Sequence, residues 1–130
     1  MRKSLVAALV VGAGLVAGLG IWAAGNAGGG SEQVKELTIY SGRSEEFIAP
    51  FFAQWEAQSG IKLNIRYGDS AELAAQILEE GSNSPADLFL AQDAGSLGAV
   101  AQAGLFTQLN DAVASAIPAQ YVAANRNWIG

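Results

Sequence analysis

Three short polar turns carry the residues of this chain that are best suited to hold a ligand. They read SGRS (residues 41–44), YGDS (67–70) and AQDAG (91–95), and each follows an apolar run and precedes a segment with helical periodicity. Hydroxyl groups, a guanidinium and the unpaired N–H groups of a helix start are hydrogen-bond donors, so these turns suit a negatively charged group. The predicted ligand-binding or anion-binding residues are Ser41, Gly42, Arg43, Ser44, Gly68, Asp69, Ser70, Gln92 and Asp93.

The same residues also have structural explanations that need no ligand. Ser44, Asp69 and Asp93 are of the types preferred at helix N-caps, and glycine at positions 42 and 68 permits backbone conformations closed to other residues. An acid/base pair or a metal site made of Asp69 and Asp93 is less well supported, because capping explains both aspartates. What favours a ligand is the occurrence of three such turns at three successive strand ends.

The composition excludes several classes of site. The 130-residue chain has a net charge of −5 and only seven Lys and Arg residues, which argues against nucleic-acid binding because phosphate recognition needs a basic face. Without Cys or His, the chain can form neither a thiolate or imidazole metal site nor a His-based nucleophilic triad. A hydrolase would need a lysine or a carboxylate as its base, so we predict that the chain is not an enzyme.

The first 27 residues have the order of an export signal. MRKS supplies two positive charges, residues 5–24 are uncharged and mostly apolar, and small residues follow. A signal peptide over residues 1–27, cleaved after Gly25 or Ala27, fits this order. The alternative is a retained membrane anchor over residues 5–24, since about 20 apolar residues span a ~30 Å hydrocarbon core. Either way, the remainder, which starts with a flexible linker at residues 28–36, is expected outside the cytoplasm.

Strand and helix patterns alternate over residues 37–130, which we predict to be one domain. Alternating or continuous apolar runs predict strands at residues 36–41, 61–67 and 87–91. Strands that alternate with helices imply parallel pairing, so the predicted fold class is α/β, with a parallel βαβαβα sheet and helices on both faces. The carboxyl ends of parallel strands meet at one edge, which would bring the three polar turns together.

The first helix is the least regular of the predicted helices. Pro50 is interpreted as its first residue, after an irregular turn near Glu45, because proline costs little where the N–H has no helical partner. Gly60 is expected to end it. Later helices are predicted at residues 69–81 and 93–103, with a short one from Asp111 towards Pro118.

An aromatic stripe runs along this first helix. Phe47, Phe51 and Trp55 are spaced by four residues and therefore share one helical face. Such spacing is more typical of residues packed into a core than of a platform for a ligand. We therefore predict that these three side chains are buried.

Several motifs together resemble the N-terminal lobe of bacterial ferric-iron-binding proteins, the extracytoplasmic substrate-binding components of iron(III) ABC transporters. The resemblance runs from about Leu37 to Trp128 and is carried by YSGRSEE, SGIK, EEGSNSPAD, DAGSL and AGLF in that order. It implies a type II periplasmic-binding-protein-like N-lobe. It also implies that the protein captures Fe(III), that it is a monomer in an exported location, and that its partner is a membrane permease.

The resemblance also implies how iron would be held. Where some members of the family have an iron-binding histidine, this chain has Ser44, and where some have a carboxylate ligand, it has Gln92. The resemblance therefore points to the subgroup that binds Fe(III) through paired tyrosines of the other lobe, with carbonate or a similar anion completing the coordination. Tyr40, Tyr67 and Tyr121 do not match those positions, so no metal ligand is expected within this chain.

Members of this family have two lobes and are much longer than 130 residues. We therefore expect the chain to be a fragment with an incomplete second lobe that holds no Fe(III) alone. Two alternatives remain open at this point: a binding protein for another small ligand, such as thiamine or sulfate, or a membrane-anchored sensor input domain that keeps residues 5–24. Cleavage of the N-terminus would distinguish the second alternative from a transport protein.

Overall fold

The computed structural model describes residues 7–9 and 33–130, the former through their backbone alone. The strands are β1 (Ala7–Leu9), β2 (Glu36–Ser41), β3 (Lys62–Tyr67), β4 (Leu88–Leu90) and β5 (Trp128–Ile129). The α-helices are α1 (Glu45–Ser59), α2 (Ser70–Glu80), α3 (Ala94–Gln102) and α4 (Asp111–Ser115). Short 3₁₀ turns follow at Gly81–Asn83 and Ala119–Tyr121. Within these described residues, none of the helices has the length and apolar character needed to cross a bilayer.

The five strands form one sheet in the order β3-β2-β4-β1-β5. All neighbours in it are parallel, and β2 pairs with β3 along its full length, from Glu36 opposite Lys62 to Ser41 opposite Tyr67. The predicted parallel α/β architecture is confirmed. Its three predicted strands are present with ends that differ from the prediction by one residue at most.

Helices α2 and α3 pack on one face of the sheet and form the main core there. Buried side chains from both helices meet Tyr40 of β2 and Phe89 of β4. Ile77 of α2 and Leu97 and Val100 of α3 are completely buried. Leu73 and Ile77 lie four residues apart in α2, and Leu97 and Val100 lie three apart in α3, so each pair shares one helical face. The core therefore anchors the starts of α2 and α3 against the sheet.

Helix α1 differs from its prediction at its start. It begins at Glu45 rather than at Pro50, and the N–H groups of Phe47 and Ile48 both donate to the Ser44 carbonyl oxygen at 3.1 Å. Pro50 therefore lies inside the helix, where its missing N–H leaves the carbonyl of Glu46 without the usual helical bond. The regular first turn outweighs this local cost. Gly60 ends the helix in a left-handed conformation with φ of 70°, as predicted.

The prediction that the aromatic stripe is buried is wrong for its first two members. Phe47 is 51% exposed and Phe51 is 38% exposed, while Trp55 is half-buried. The neighbouring apolar stripe faces the protein interior instead. Its Ile48 is only 5% exposed and its Phe52 is half-buried. Two apolar stripes lie side by side on α1, and their spacing alone does not say which one meets the sheet.

Two strands were not predicted. Residues 7–9, which the sequence places inside an apolar N-terminal segment, form β1 in the sheet, and Trp128–Ile129 forms β5. The rest of the predicted signal or anchor segment, and the linker up to residue 32, lie outside the described residues.

Candidate anion-binding rim

The three polar turns lie at one edge of the sheet, which we call the rim (residues 41–44, 67–70 and 91–95). The Gly42 N–H donates to the Leu90 carbonyl oxygen at 2.7 Å, which joins the first turn to the end of β4. The Gly68 N–H donates to the Ser41 carbonyl oxygen at 3.1 Å, which joins the second turn to the end of β2. The rim is thus a single hydrogen-bonded unit formed by three strand ends.

A second pair of hydrogen bonds joins the third turn to the other two. The Gln92 N–H donates to Ser70 Oγ at 3.0 Å, across 22 positions of sequence. The Gln92 side-chain amide donates to the Gly42 carbonyl oxygen. The predicted convergence of Ser41, Gly42, Gly68, Ser70 and Gln92 at one edge is confirmed, while their role in binding a ligand stays a prediction.

Close packing explains why glycine occupies position 42. A Cβ atom there would lie 2.2 Å from Ser70 Oγ and 3.2 Å from the Leu90 carbonyl oxygen. The serines beside it are structural too, because Ser41 is 0% exposed and Ser70 is 5% exposed. Ser41 Oγ accepts a hydrogen bond from the Arg43 N–H at 3.2 Å. These buried groups hold the turns together and leave ligand contacts to the more exposed residues of the rim.

Two of the three helices that start at the rim are capped by an aspartate. Asp69 accepts a hydrogen bond from the Ala71 N–H at 2.8 Å. Asp93 accepts one from the Ser96 N–H at 2.7 Å and another from Ser96 Oγ at 2.9 Å. These bonds lower the pKa of Asp93, with the backbone N–H of Ser96 as the largest cause. Each aspartate therefore occupies one of the N–H groups that an external anion could otherwise use.

Helix α1 starts without such a cap. Ser44 occupies the N-cap position, but its side chain makes no capping hydrogen bond. The Arg43 guanidinium carbon lies 5.8 Å from the centre of the exposed Phe47 ring, which places a positive charge beside this helix start. The acidic residues Glu45 and Glu46 in the first turn are exposed. The start of α1 and Arg43 are the part of the rim best suited to an external anion.

The rim also includes Tyr67, which was not among the predicted ligand-binding residues. Tyr67 ends β3, and the pKa of its phenol is raised, chiefly because burial disfavours the phenolate and also because the Glu45 carboxylate repels it. Its position as the last residue of a strand that enters the rim could have identified it. Tyr67 stays neutral at physiological pH and can act as a hydrogen-bond donor.

Acidic side chains of the described residues are dispersed rather than clustered. Over residues 33–130, no group of three or more His, Cys, Asp or Glu side chains is close enough to hold one. Asp69 and Asp93 are each bonded to their own helix, which gives no support to an acid/base pair.

A polar network below the rim was not foreseen. The Tyr40 hydroxyl donates to Glu80 Oε1 at 2.9 Å, and Glu80 also accepts from Ser84 Oγ and the Gln76 side-chain amide, both at 2.6 Å. Burial favours a higher pKa for Glu80, but these three hydrogen bonds, with a contribution from Arg66, lower it overall. The network ties the end of α2 to the sheet. A shallow depression beside it, lined by Thr38, Tyr40, Asn64, Ile65, Arg66 and Pro85, shares no residue with the rim.

Comparison with known proteins assigns the chain to a family. The model of the bacterial extracellular solute-binding protein family matches residues 37–126. The Fe(3+)-binding periplasmic protein of Serratia marcescens is 33% identical over 94 residues, which cover 72% of this chain and 28% of the relative. The major ferric iron-binding protein of Neisseria gonorrhoeae is 30% identical over 99 residues, covering 72% of this chain and 29% of the relative.

Solved structures agree with the sequence matches. Iron-bound HitA from Pseudomonas aeruginosa superposes with a TM-score of 0.70 at 32% identity, covering 73% of this chain and 31% of HitA. A Trichodesmium protein (IdiA, FutA) in complex with iron and citrate superposes with a TM-score of 0.67 at 29% identity, covering 73% and 30%. The chain thus spans less than a third of the length of these relatives. It belongs to the bacterial extracellular solute-binding protein family, and its matched relatives are ferric-iron-binding members of periplasmic-binding-protein-like fold.

Proposed function

We propose that this chain forms the N-terminal lobe of an exported protein that captures Fe(III) and delivers it to an ABC-transporter permease in the membrane. The named relatives are ferric-iron-binding proteins, and the chain corresponds to less than a third of each. The chain is therefore proposed to contribute one lobe of the binding protein. The protein is proposed to act as a monomer and a carrier, without catalysis.

The observation that carries this proposal is the hydrogen-bonded rim. Three strand ends are joined to one another by the Gly42, Gly68 and Gln92 amides. In an open parallel sheet, ligands bind beyond the carboxyl ends of the strands, where helix N-termini supply partial positive charge. The rim occupies that place and leaves one helix start, that of α1, without a side-chain cap.

The donors of the rim suit the anion that accompanies the metal better than the metal itself. Fe(III) is a hard ion that prefers oxygen ligands, and the described residues hold no group of three or more His, Cys, Asp or Glu side chains that could bind it. A carbonate or citrate ion, by contrast, would find N–H groups at the start of α1 and the guanidinium of Arg43. We propose that this corner binds the anion and that a second lobe supplies the metal ligands.

Export is the proposed route to the site of action. The basic, apolar and small-residue order of the N-terminus fits a signal peptide, and the matched relative from Serratia marcescens is named a periplasmic protein. Outside the cytoplasm, closure of two lobes around Fe(III) would present a defined surface to the permease. Identification of the mature N-terminus by mass spectrometry, expected near Gly28, tests this part; an intact Met1 in the exported protein would favour an anchored form.

The anion site is tested by titrating the full chain with citrate and with bicarbonate. We expect the backbone amide signals of residues 44–46 to shift in NMR spectra, and the Arg43→Gln variant to bind roughly tenfold more weakly, because a charge-assisted hydrogen bond is lost. Arg126→Gln is the matched control. Arg126 pairs with Asp111 at 2.8 Å, outside the rim, and its replacement should leave affinity unchanged. Equal weakening by both variants would show non-specific attraction, and the rim would lose its proposed role.

Iron is tested separately by calorimetry of the same chain with ferric citrate. Because the metal ligands are assigned to a second lobe, the chain should show only the weak heat of citrate binding. Tight binding of one Fe(III) per chain would contradict this division of labour between the lobes while leaving the transport function intact.

A further inference from the structure

Strand β3 lies at one end of the sheet. It pairs with β2 and, among the strands that the structure describes, with no other. The Lys62 N–H points towards β2, because it donates to the Lys35 carbonyl oxygen at 2.9 Å. Successive residues of a strand direct their backbone groups to opposite sides, so those of Leu63, Ile65 and Tyr67 face away from β2. We call this side the outer edge of β3.

A carboxylate occupies the first N–H group of the outer edge. Glu56, near the end of α1, accepts a hydrogen bond from the Leu63 N–H through Oε1 at 2.6 Å. The Glu56 side chain takes the place that a carbonyl oxygen of an added strand would fill. A hydrogen bond to a carboxylate is stronger than one to a neutral carbonyl group. Any strand that pairs along the whole outer edge must therefore displace Glu56.

The positive charges of β3 oppose pairing with a second copy of the chain. Lys62 and Arg66 are exposed and share one face of the strand. If two outer edges paired antiparallel about a two-fold axis at Asn64, Lys62 of each copy would lie directly opposite Arg66 of the other. With the axis at Ile65, the same two cations would be diagonal neighbours. Like charges in such positions destabilise a strand pair.

We infer that Glu56 is an edge-protecting residue, which prevents a second copy of this chain from adding its own β3 to the sheet. Lys62 and Arg66 form a weaker second barrier, because Glu36 lies opposite Lys62 in β2 and partly offsets the positive charge. Charged side chains commonly protect the exposed edges of sheets in this way. The role of Glu56 concerns assembly rather than ligand capture, and it keeps the lobe from forming dimers through a continuous sheet.

Hydrogen exchange of the full chain at low protein concentration tests the Glu56 bond. In Glu56→Met, which keeps the length of the side chain but removes the acceptor, the Leu63 amide should exchange roughly tenfold faster or more. Glu56→Gln is the matched control: it has the same charge as Glu56→Met but keeps an oxygen acceptor, so Leu63 should stay closer to wild type. The Ile39 amide in β2 is the internal reference and should not change. Glu56→Ala repeats the test without an added apolar side chain.

Assembly is tested by removing both barriers together. In the double variant Glu56→Met, Lys62→Thr, the acceptor is lost and the pair of like charges no longer forms, while threonine favours the strand. Sedimentation equilibrium should then show dimers that wild type does not form. The Ile65 and Tyr67 amides should exchange roughly tenfold more slowly at high than at low protein concentration, because the second copy accepts their hydrogen bonds. Lys62→Thr alone keeps Glu56 and should match wild type.

Several results would overturn the inference. Leu63 exchange that is equal in Glu56→Met and Glu56→Gln would show that the acceptor does not protect the edge. A double variant that stays monomeric, or one that associates without protecting Ile65 and Tyr67, would show that Glu56 does not block pairing at β3. Dimers of Lys62→Thr alone would assign the protection to charge instead. No arm of these experiments contains iron or a small anion, so the role of Glu56 can fail while the rim keeps its proposed role, and the reverse.

Discussion

Helix α1 and the pair α2 and α3 begin at the same edge of one sheet, but they begin differently. Asp69 and Asp93 cap α2 and α3 through their side chains, and the apolar faces of both helices are buried. Helix α1 has Ser44 at its N-cap without a capping bond, and its most prominent aromatic side chains, Phe47 and Phe51, are exposed. Their rings lie 6.0 Å apart, beside the Arg43 guanidinium.

The difference indicates which helix starts are stabilised within the lobe and which one leaves its surface exposed. At α2 and α3, an aspartate accepts a hydrogen bond from one N–H group of the first turn and the core-facing side chains are buried, so these helices provide stability. At α1, Ser44 makes no capping bond and Phe47 and Phe51 are exposed, so a ligand or another part of a larger protein can contact this surface. We expect the two regions to respond differently to mutation, from the core outwards.

The largest contrast is expected on α1 itself. Ile48→Ala should lower the free energy of unfolding by about 2–4 kcal/mol, because a buried aliphatic side chain is lost and a cavity remains. Phe47→Ala, one residue earlier, should change it by no more than about 0.5 kcal/mol, because the ring is half exposed. Urea unfolding of both variants measures this. Equal costs would mean that the aromatic stripe is packed after all.

Two glycine-to-alanine substitutions test how closely the first turn packs against the second. Gly42→Ala should cost about 1–3 kcal/mol of unfolding free energy, because its Cβ would force Ser70 Oγ away from the Gln92 amide. Gly98→Ala is the matched control: a Cβ at Gly98 in α3 meets nothing within 4 Å, so the variant should gain up to about 1 kcal/mol through helix propensity. A neutral Gly42→Ala would show that the contact between the first two turns is loose.

Capping gives a smaller contrast between the helices. Asp69→Ala should cost about 1 kcal/mol, since the Ala71 N–H loses its acceptor. Ser44→Ala should cost only a few tenths of a kcal/mol, because no capping bond is broken. Thermal unfolding at neutral pH compares the two. A cost for Ser44→Ala as large as for Asp69→Ala would contradict the open start of α1.

The charge of the Asp93 cap should be visible as a pH dependence. Its pKa is lowered in the folded state, so its stabilising effect is present above the ordinary value of 3.8 and is lost as pH falls below it. Wild type should therefore be more stable than Asp93→Asn at pH 6, and the difference should shrink below pH 4. Unfolding measured at several pH values decides this; a constant difference would mean that the charge plays no part.

The smallest expected effect is electrostatic and links α1 to the end of β3. Glu45→Gln should lower the pKa of Tyr67 towards its ordinary value of 10.0, because one of the two causes that raise it is removed. Burial, the larger cause, would remain, so the pKa should not return fully. NMR titration of the Tyr67 ring follows the change, with Glu46→Gln as the control. An unchanged Tyr67 pKa in Glu45→Gln would show that Glu45 does not act on the phenol.

Much of the fold was predictable because local patterns and the global architecture agree. Alternating apolar residues in β3, the apolar run of β4 and the Asp caps of α2 and α3 each predicted the observed element within a residue or two. The rim followed from parallel pairing, which brings strand ends together. The orientation of α1 was not predictable, since its two apolar stripes satisfy helical spacing equally well and only contact with the sheet selects one.

Local sequence patterns were sufficient to predict an α/β lobe with donor-rich turns at successive strand ends, because periodicity and capping are local properties. Which donors form internal hydrogen bonds depended on contacts between elements that are distant in sequence. Ser41 Oγ accepts a hydrogen bond within the first turn and Ser70 Oγ accepts one from the third turn, whereas the Ser44 side chain makes no capping bond at the start of α1. Tertiary structure also decided that residues 7–9 lie between β4 and β5, because strand partners are chosen by backbone edges that meet only after folding.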